Sequence, residues 1–399
     1  MQGGSATELR RRNRDAVIRA IASETSISRS QIARQTGLTG AAVSRITREL
    51  IDAGLVREGE RIETKGQVGR RNICLEIGDH GAFVLAIALT ANVKSVSISN
   101  SRGEIIGQRV LEDLHLNDPG LVIKQVCEAA EVLLKTCAIE RSRLVGCGVS
   151  VAGVVDPETG FLAVSEPLAW ENVELGEAFT AALGIPVRVE RRPVALLTAE
   201  MWRGAARGLD NIVLINNGLW LGGCVVADGR VLTGPANSVG QIAHMVVGGD
   251  DTLCSCGRRG CLDATASGIS ILRKLEHLTL DGSTADDEPG DRLRSLARYA
   301  GADHPEVQDA FRAAGSQMGR AVDCLFALLQ PELVLLAGET SRHPSFLTGV
   351  HETLAASRSG VSEWPVKVSN ITTDLSAVWV ALDAFVFSHT LNIEKLKAA

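Results

Sequence analysis

The sequence lacks the features that mark membrane-spanning, secreted and disulfide-stabilised proteins. None of its apolar runs approaches the roughly 20 residues that a transmembrane helix needs. No apolar segment follows the arginines near the N-terminus, so we expect no secretory signal. The nine cysteines are odd in number and scattered outside one cluster. This pattern favours the reduced thiols of a cytoplasmic protein, with a possible metal site at the cluster, over a disulfide framework.

The net charge of −6 combines two segments of opposite sign. Residues 1–75 contain fourteen Lys and Arg against eight Asp and Glu, a net charge of +6, which leaves −12 for the remaining residues. A basic segment attached to an acidic body is typical of a protein whose head binds a polyanion. Charge alone is equally compatible with a basic terminus that has no such partner.

The N-terminal segment has the pattern of a helix-turn-helix. Val17, Ile18 and Ile21 recur at helical spacing and predict the buried face of a first helix. A second helix is expected to begin after the N-cap residue Ser28. It is expected to end at Gly37, where a tight turn opens.

A third helix is predicted from about Gly40 to Ala53, with one polar face. Short polar and cationic side chains are the types that reach base edges and phosphates in the major groove. The candidates for this role are Thr39, Ala41, Ser44, Arg45 and Arg48. Two predicted strands follow, AGLVREG and RRNICLEI, so residues 1–75 are predicted to form a winged helix-turn-helix. A purely structural three-helix bundle is the alternative.

The predicted wing contains a basic pair, Arg70 and Arg71, directly after Gly69. A small residue beside arginines in an extended loop is suited to the narrow, electronegative minor groove of A·T-rich DNA. We therefore expect Arg70 and Arg71 to contact DNA. The alternative is a solvated basic linker.

From about residue 76 the sequence alternates between β-rich runs and helices. The runs FVLAIALT, VKSVSIS, GEIIGQRV and LVGCGVSVAG predict one set of strands. The runs PVRVE, NIVLINN, GCVVADG and ELVLLAG predict a second set. Residues 76–399 are therefore predicted to form one duplicated α/β domain with lobes at about 76–190 and 191–399 and a cleft between them.

Three cysteines lie close together in the run Cys254-Ser255-Cys256-Gly257-Arg258-Arg259-Gly260-Cys261, which begins ten residues after His244. The interleaved glycines allow a knuckle that wraps three thiolates around one ion, and an imidazole completes a tetrahedron. Four protein ligands leave no open position, so the predicted ion is structural zinc. The alternative is a coincidental cluster.

These motifs together resemble the ROK family (repressor, open reading frame, kinase). The run from Cys254 to Asp263 is similar to its Cys-x-Cys-Gly-x-x-Gly-Cys-Leu-acid motif, and Gly240 to His244 to its Gly-Glu-Ile-Gly-His motif. The resemblance covers nearly the whole chain, including the winged helix of the repressor branch. It implies a two-lobed actin-like (ribonuclease H-like) fold and a homodimer, or a tetramer built from two such dimers. It also implies a carbohydrate effector that changes operator affinity, and a zinc site of His244, Cys254, Cys256 and Cys261.

The sequence departs from the ROK kinases where those enzymes bind phosphate and abstract a proton. Residues 88–92 replace the Asp-x-Gly-Gly-Thr turn without its aspartate or its glycines. In the second phosphate loop, Gly218 to Gly222, Trp220 replaces the central glycine and obstructs the approach of phosphate. Glu190-Arg191-Arg192 replaces Glu-Asn-Asp, and a guanidinium cannot act as the catalytic base. We therefore predict no kinase activity.

The resemblance also identifies the candidate effector site, whose residues are Arg191, Arg192, Gln241, His244 and Asp263. Two arginines favour a carboxylate or a phosphate over a neutral sugar. The predicted effector is therefore an anionic sugar derivative such as a sugar phosphate or a sugar acid. The alternative is that both arginines form internal salt bridges and the pocket is closed.

The sequence thus predicts a DNA-binding transcriptional regulator, most simply a repressor of carbohydrate metabolism, that responds to a carbohydrate-related effector. A second hypothesis is an effector-independent regulator whose ROK domain serves for oligomerisation. A third hypothesis, an active sugar kinase with an attached DNA-binding domain, is disfavoured by Arg192.

Overall fold

The computed structural model describes residues 6–62, 72–91, 93–112, 114, 116–234, 239–248, 251–278, 289–357 and 364–397. The helices in these ranges are α1 (Ala6–Ala22), α2 (Arg29–Thr36), α3 (Gly40–Asp52), α4 (Pro119–Thr136), α5 (Leu175–Leu183), α6 (Arg192–Arg203), α7 (Leu262–Ala266), α8 (Gly268–Leu275), α9 (Pro289–Ala300), α10 (Pro305–Leu329), α11 (Pro344–Ser357), α12 (Thr373–Ala381) and α13 (Ile393–Lys397). The strands are β1 (Ile27–Ser28), β2 (Val56–Ile62), β3 (Asn72–Ile77), β4 (Phe83–Leu89), β5 (Lys94–Asn100), β6 (Ile105–Val110), β7 (Leu144–Val151), β8 (Val154–Asp156), β9 (Phe161–Ser165), β10 (Trp170–Val173), β11 (Val187–Arg191), β12 (Ile212–Asn217), β13 (Leu221–Ala227), β14 (Arg230–Val231), β15 (Leu333–Ala337) and β16 (Val366–Val368).

The N-terminal head consists of three helices and a small antiparallel sheet of order β1-β3-β2. The Ser28 hydroxyl accepts a hydrogen bond from the Gln31 amide, and the Gln31 side chain caps the Ser28 amide in return. Gly37 has φ of +69°, a left-handed conformation that glycine adopts without strain. The predicted caps of the second helix are therefore confirmed. Strand β1 was not predicted, because its two residues gain their structure only by pairing with Leu75 and Cys74.

The apolar faces of the head helices meet in a common core. Val17, Ile18 and Ile21 of α1 are buried as predicted, together with Val43 and Leu50 of α3. Helix α3 begins at its N-cap Thr39, whose hydroxyl accepts a hydrogen bond from the Ala42 amide. The predicted wing strands are confirmed, since β2 pairs antiparallel with β3. The head is thus a winged helix-turn-helix.

The chain forms two compact units, which are Met1–Arg191 together with Thr373–Ala399, and Arg192–Thr372. The sequence placed the second lobe at about 191–399, whereas the second compact unit ends at Thr372. The C-terminal segment belongs to the first unit because α12 packs on β4 and β7. Gly148 of β7 permits this approach, since a Cβ there would lie 2.4 Å from the carbonyl oxygen of Ala377.

Each unit contains one five-stranded mixed sheet, and the two sheets share a strand order. In the first unit the order is β11-β7-β4-β5-β6, and in the second it is β14-β13-β12-β15-β16. In each sheet the central strand, β4 or β12, pairs antiparallel with the next strand of its hairpin and parallel with a later strand. This duplication confirms the predicted actin-like α/β body. Within the described ranges, no helix combines the length and the apolar character required to cross a membrane.

Candidate DNA-binding face and metal centre

The third helix presents the residues that were predicted to read DNA. Thr39, Ala41, Ser44, Arg45 and Arg48 are all exposed, whereas Val43, Ile46 and Leu50 on the opposite face are buried. Ser44 and Arg48 are one helical turn apart and therefore lie on the same side of α3. The face thus combines short polar side chains with two cationic ones. Arg70 and Arg71 lie outside the described residues.

The start of the second helix braces this face. The Nε of Arg29 donates a hydrogen bond to the Thr47 hydroxyl over 3.1 Å, and its Nη2 lies 3.0 Å from the carboxylate of Glu58. Arg29 thereby links α2 to α3, which we call the recognition helix because it is predicted to read DNA, and to β2, the first strand of the wing. The sequence pattern gave no indication of this link, because the two partners of Arg29 lie in two other elements, α3 and β2.

The predicted metal ligands converge in the second unit. The ligand atoms of His244, Cys254, Cys256 and Cys261 all lie within 4.8 Å of one another. The Sγ atoms of Cys256 and Cys261 are 3.7 Å apart, as are Cys254 Sγ and His244 Nδ1. Zinc–sulfur bonds of about 2.3 Å in a tetrahedron separate two thiolates by about 3.8 Å. The four side chains therefore form a cluster that could hold a metal ion.

The backbone of the cysteine loop fixes this geometry. Gly257 donates to the Cys254 carbonyl over 2.9 Å with φ of +84°, and Cys254 donates to the Arg258 carbonyl over 2.8 Å. The Leu262 amide donates to the Met245 carbonyl over 2.8 Å, which ties the last cysteine to the segment that follows His244. The predicted knuckle thus forms, and it joins the two segments that supply the ligands.

The pKa values of two thiols of the cluster are shifted in opposite directions. Hydrogen bonds from the backbone and the side chain of Arg258 lower the pKa of Cys256 to about 6. Burial and the neighbouring thiols raise the pKa of Cys261 to about 12. A thiolate is favoured at Cys256, while at Cys261 a bound cation would have to displace the proton.

Two of the candidate effector residues, Asp263 and Arg192, border the Gly218–Gly222 loop. A carboxylate oxygen of Asp263 accepts a hydrogen bond from the Leu221 amide over 2.8 Å. A Cβ built on Gly218 would lie 3.9 Å from Arg192 Nη1, so this arginine borders the other end of the loop. Gln241 is exposed just before the 3-10 turn that carries His244. Arg191 is the last residue of β11 and belongs to the other unit.

Arg192 faces a carboxylate that sequence reasoning missed. Its Nη2 lies 3.8 Å from an Oε1 atom of Glu339, and its side chain is only 14% exposed. Burial lowers the pKa of Arg192, and the nearby charge of Arg342 acts in the same direction. Arg192 Nε is buried and makes no hydrogen bond with any of the described residues. Glu339 is far from Arg192 in sequence, so no local pattern identifies the pair.

The remaining residue of the altered tripeptide, Glu190, is engaged within the first unit. Its carboxylate accepts hydrogen bonds from Arg188 over 2.9 and 2.6 Å. Burial raises the pKa of Glu190 in spite of this partner. Glu190 therefore forms an ion pair with Arg188 of the same strand.

Taken together, the fold and the sites define a class of protein, a winged helix-turn-helix domain followed by a sugar-kinase-like α/β body. Residues 10–57 match the family of winged helix-turn-helix DNA-binding domains, and residues 104–372 match the ROK family. The chain belongs to the ROK family.

Its relatives include both regulators and kinases. The xylose repressor of Caldicellulosiruptor bescii is 25% identical over 346 residues, which are 85% of this chain and 86% of the repressor. The glucokinase of Thermotoga maritima is 30% identical over 280 residues, which are 67% of this chain and 84% of the kinase. A crystal structure of a ROK family transcriptional regulator, a homologue of the E. coli MLC protein, has a TM-score of 0.78 at 23% identity and covers 98% of this chain and 100% of that one.

Proposed function

We propose that this protein is a DNA-binding transcriptional repressor whose operator affinity changes when a carbohydrate-related effector binds its kinase-like body. The observation that carries the proposal is the exposed polar and cationic face of α3 on a capped, well-packed head. A repressor relative that aligns along most of the chain supports it. Residues 1–75 act as the head, and a homodimer reads two half-sites a whole number of helical turns apart.

The proposed metal is zinc, bound by His244, Cys254, Cys256 and Cys261. Three sulfur donors and one nitrogen donor are typical of structural zinc sites. When bound, zinc would fix the cysteine loop and the His244 ring without taking part in a reaction. Because Nδ1 of His244 lies 3.7 Å from Cys254 Sγ, Nδ1 is the proposed metal ligand and Nε2 the proposed contact to an effector.

We further propose that the body has no kinase activity. In the Gly218–Gly222 loop, the Gly218 amide donates to the Trp220 carbonyl and the Leu221 amide donates to Asp263. These internal bonds use N–H groups that a phosphate-binding loop would direct at its ligand. Thr90 closes the first loop through hydrogen bonds with Val93. Arg192, in the position of the family's catalytic base, cannot accept a proton.

The proposed effector is an anionic sugar derivative bound by Arg191, Arg192, Gln241, His244 and Asp263. The buried charge of Arg192 supports this class of effector. Its Nε–H makes no hydrogen bond with the described residues and can therefore donate to an oxygen of the ligand. The Arg192–Glu339 pair favours a second candidate, an effector-independent regulator with a closed pocket. The two candidates differ in whether any ligand alters DNA affinity.

Selection of duplexes from a random DNA library by the purified, zinc-loaded protein tests the proposed function. A regulator enriches one roughly palindromic sequence that it binds more tightly than unrelated DNA. ATP and a panel of sugars added to the same preparation test for a kinase by the release of ADP. Enrichment without ADP release supports the proposal, whereas ADP release without enrichment identifies a kinase.

A further inference from the structure

A cleft of about 1100 Å³ lies where the recognition helix approaches the start of the α/β body within the first unit. Ser44 and Arg48 of α3 line one side of it, and Arg143, at the end of the turn that precedes β7, lines another. Arg29 and Arg57 of the head border the same space. The cleft is therefore continuous with the face that is proposed to read DNA.

The arginines of this cleft differ in whether a carboxylate neutralises them. Arg29 lies 3.0 Å from the Glu58 carboxylate, and Arg57 lies 3.2 Å from that of Glu76. For Arg48 and Arg143, the structure shows no carboxylate within salt-bridge distance among the described residues. Two uncompensated guanidinium groups, one from the head and one from the body, thus line the same cleft.

Arg143 is held in position without its charge being neutralised. Its Nη1 donates to the carbonyl oxygen of His80 over 2.8 Å, and the side chain is half-buried. An arginine has five N–H donors in a planar fork that suits the oxygens of a phosphate group. The His80 contact uses one of them and fixes the direction of the fork.

We propose that this cleft binds the sugar-phosphate backbone of the operator and that Arg143 extends the DNA contact from the head onto the body. The inference rests on the proposed function and adds a partner contact outside the helix-turn-helix. The DNA strand whose bases are read by α3 passes beside Ser44 and Arg48. Its phosphates neutralise the guanidinium groups of Arg48 and Arg143. Such contacts position the protein on the duplex without reading sequence.

The test compares Arg143→Gln with the wild-type full-length protein on the selected operator and on an unrelated duplex. Glutamine keeps a donor for the His80 carbonyl and removes the charge. Fluorescence anisotropy from about 50 to 200 mM salt gives the slope of log affinity against log salt. Loss of one phosphate contact makes this slope less negative by about 0.9. The affinity defect of the variant should therefore shrink about 3.5-fold across that range and be equal on both duplexes.

Two further variants make the test specific. Arg141→Gln removes a charge from the same turn, but Arg141 donates to the Leu183 carbonyl and does not line the cleft, so the wild-type slope is expected. Arg143→Lys keeps the charge and is also expected to keep the wild-type slope. A wild-type slope for Arg143→Gln overturns the inference, and reduced affinity with that slope assigns Arg143 a structural role. Failure of the wild-type protein to enrich any duplex instead overturns the proposed function itself.

Discussion

The guanidinium of Arg19 in the first helix lies 3.0 Å from the carboxylate of Asp383, which follows α12 in the C-terminal segment. The carboxylate of Asp15, one turn earlier in the same helix, lies 2.9 Å from the Nε of Arg19. Arg14, the residue before Asp15, donates to the Leu391 carbonyl over 2.6 Å. The head is thus held by contacts with the C-terminal segment, in addition to its covalent connection to the part of the chain that follows it.

Asp383→Asn is expected to loosen this attachment. The Arg19 and Asp383 side chains are 41% and 39% exposed, so water screens the pair and its contribution is below about 1 kcal/mol. Hydrogen exchange of the α1 amides should accelerate by up to about fivefold. The matched control is Glu8→Gln, which removes the carboxylate that Arg12 contacts on the same helix. Equal exchange in both variants would show that Asp383 does not stabilise the head.

Arg45→Ala tests the recognition face directly. The side chain is exposed on α3, so its removal should leave the fold intact and weaken specific operator binding by about 1–3 kcal/mol if it contacts a base. Binding to unrelated DNA should weaken less. Arg312→Ala in the other unit, where Arg312 pairs with Glu352, should leave both affinities unchanged. Wild-type operator affinity in Arg45→Ala would remove this residue from the interface.

Cys256→Ser tests the metal centre. The variant should lose stoichiometric zinc, measured by elemental analysis, and should melt at a lower temperature, because metal binding contributes to folding. A chelator should lower the melting temperature of the wild type and leave the variant almost unaffected. Cys324→Ser changes an exposed cysteine on α10 that is outside the cluster and should retain the metal. Stoichiometric zinc in Cys256→Ser would contradict the assignment.

Glu339→Gln tests whether Arg192 depends on an internal partner. The buried guanidinium loses its carboxylate, so the free energy of unfolding should fall by about 1–2 kcal/mol, a value reduced by the partial exposure of Glu339. Inorganic phosphate should restore more of the loss than sodium chloride does, since it can replace the missing anion. Glu352→Gln removes the partner of an exposed arginine and should change stability little. Unchanged stability of Glu339→Gln would show that the pair is not needed to hold Arg192.

The sequence predicted the features that local patterns determine. The caps at Ser28 and Gly37, the buried stripe of α1 and the cysteine knuckle depend on neighbouring residues, and each forms as expected. The duplicated sheet followed from runs of β-forming residues, which are also local signals. The resemblance to a known family supplied the connection between these parts.

The remaining features depend on contacts between distant parts of the chain. Helix α12 returns to the first unit because Gly148 leaves space for it, and the sequence of α12 alone does not indicate this. Glu339 beside Arg192 and His80 beside Arg143 are pairs that only the fold creates. The small sheet of β8, β9 and β10 was also missed, because its strands are short and lack clear alternation.

The central claim is that a ligand of the kinase-like body controls DNA binding, and an effector titration of the protein–operator complex tests it most directly. Neutral sugars, sugar phosphates and sugar acids are added in turn while fluorescence anisotropy reports the fraction of operator bound. The account predicts that one anionic sugar derivative weakens operator affinity at least about fivefold, the lower end of typical allosteric coupling. It also predicts that Arg192→Gln abolishes the response while keeping operator affinity without ligand. Operator binding that no member of the panel changes would contradict the claim.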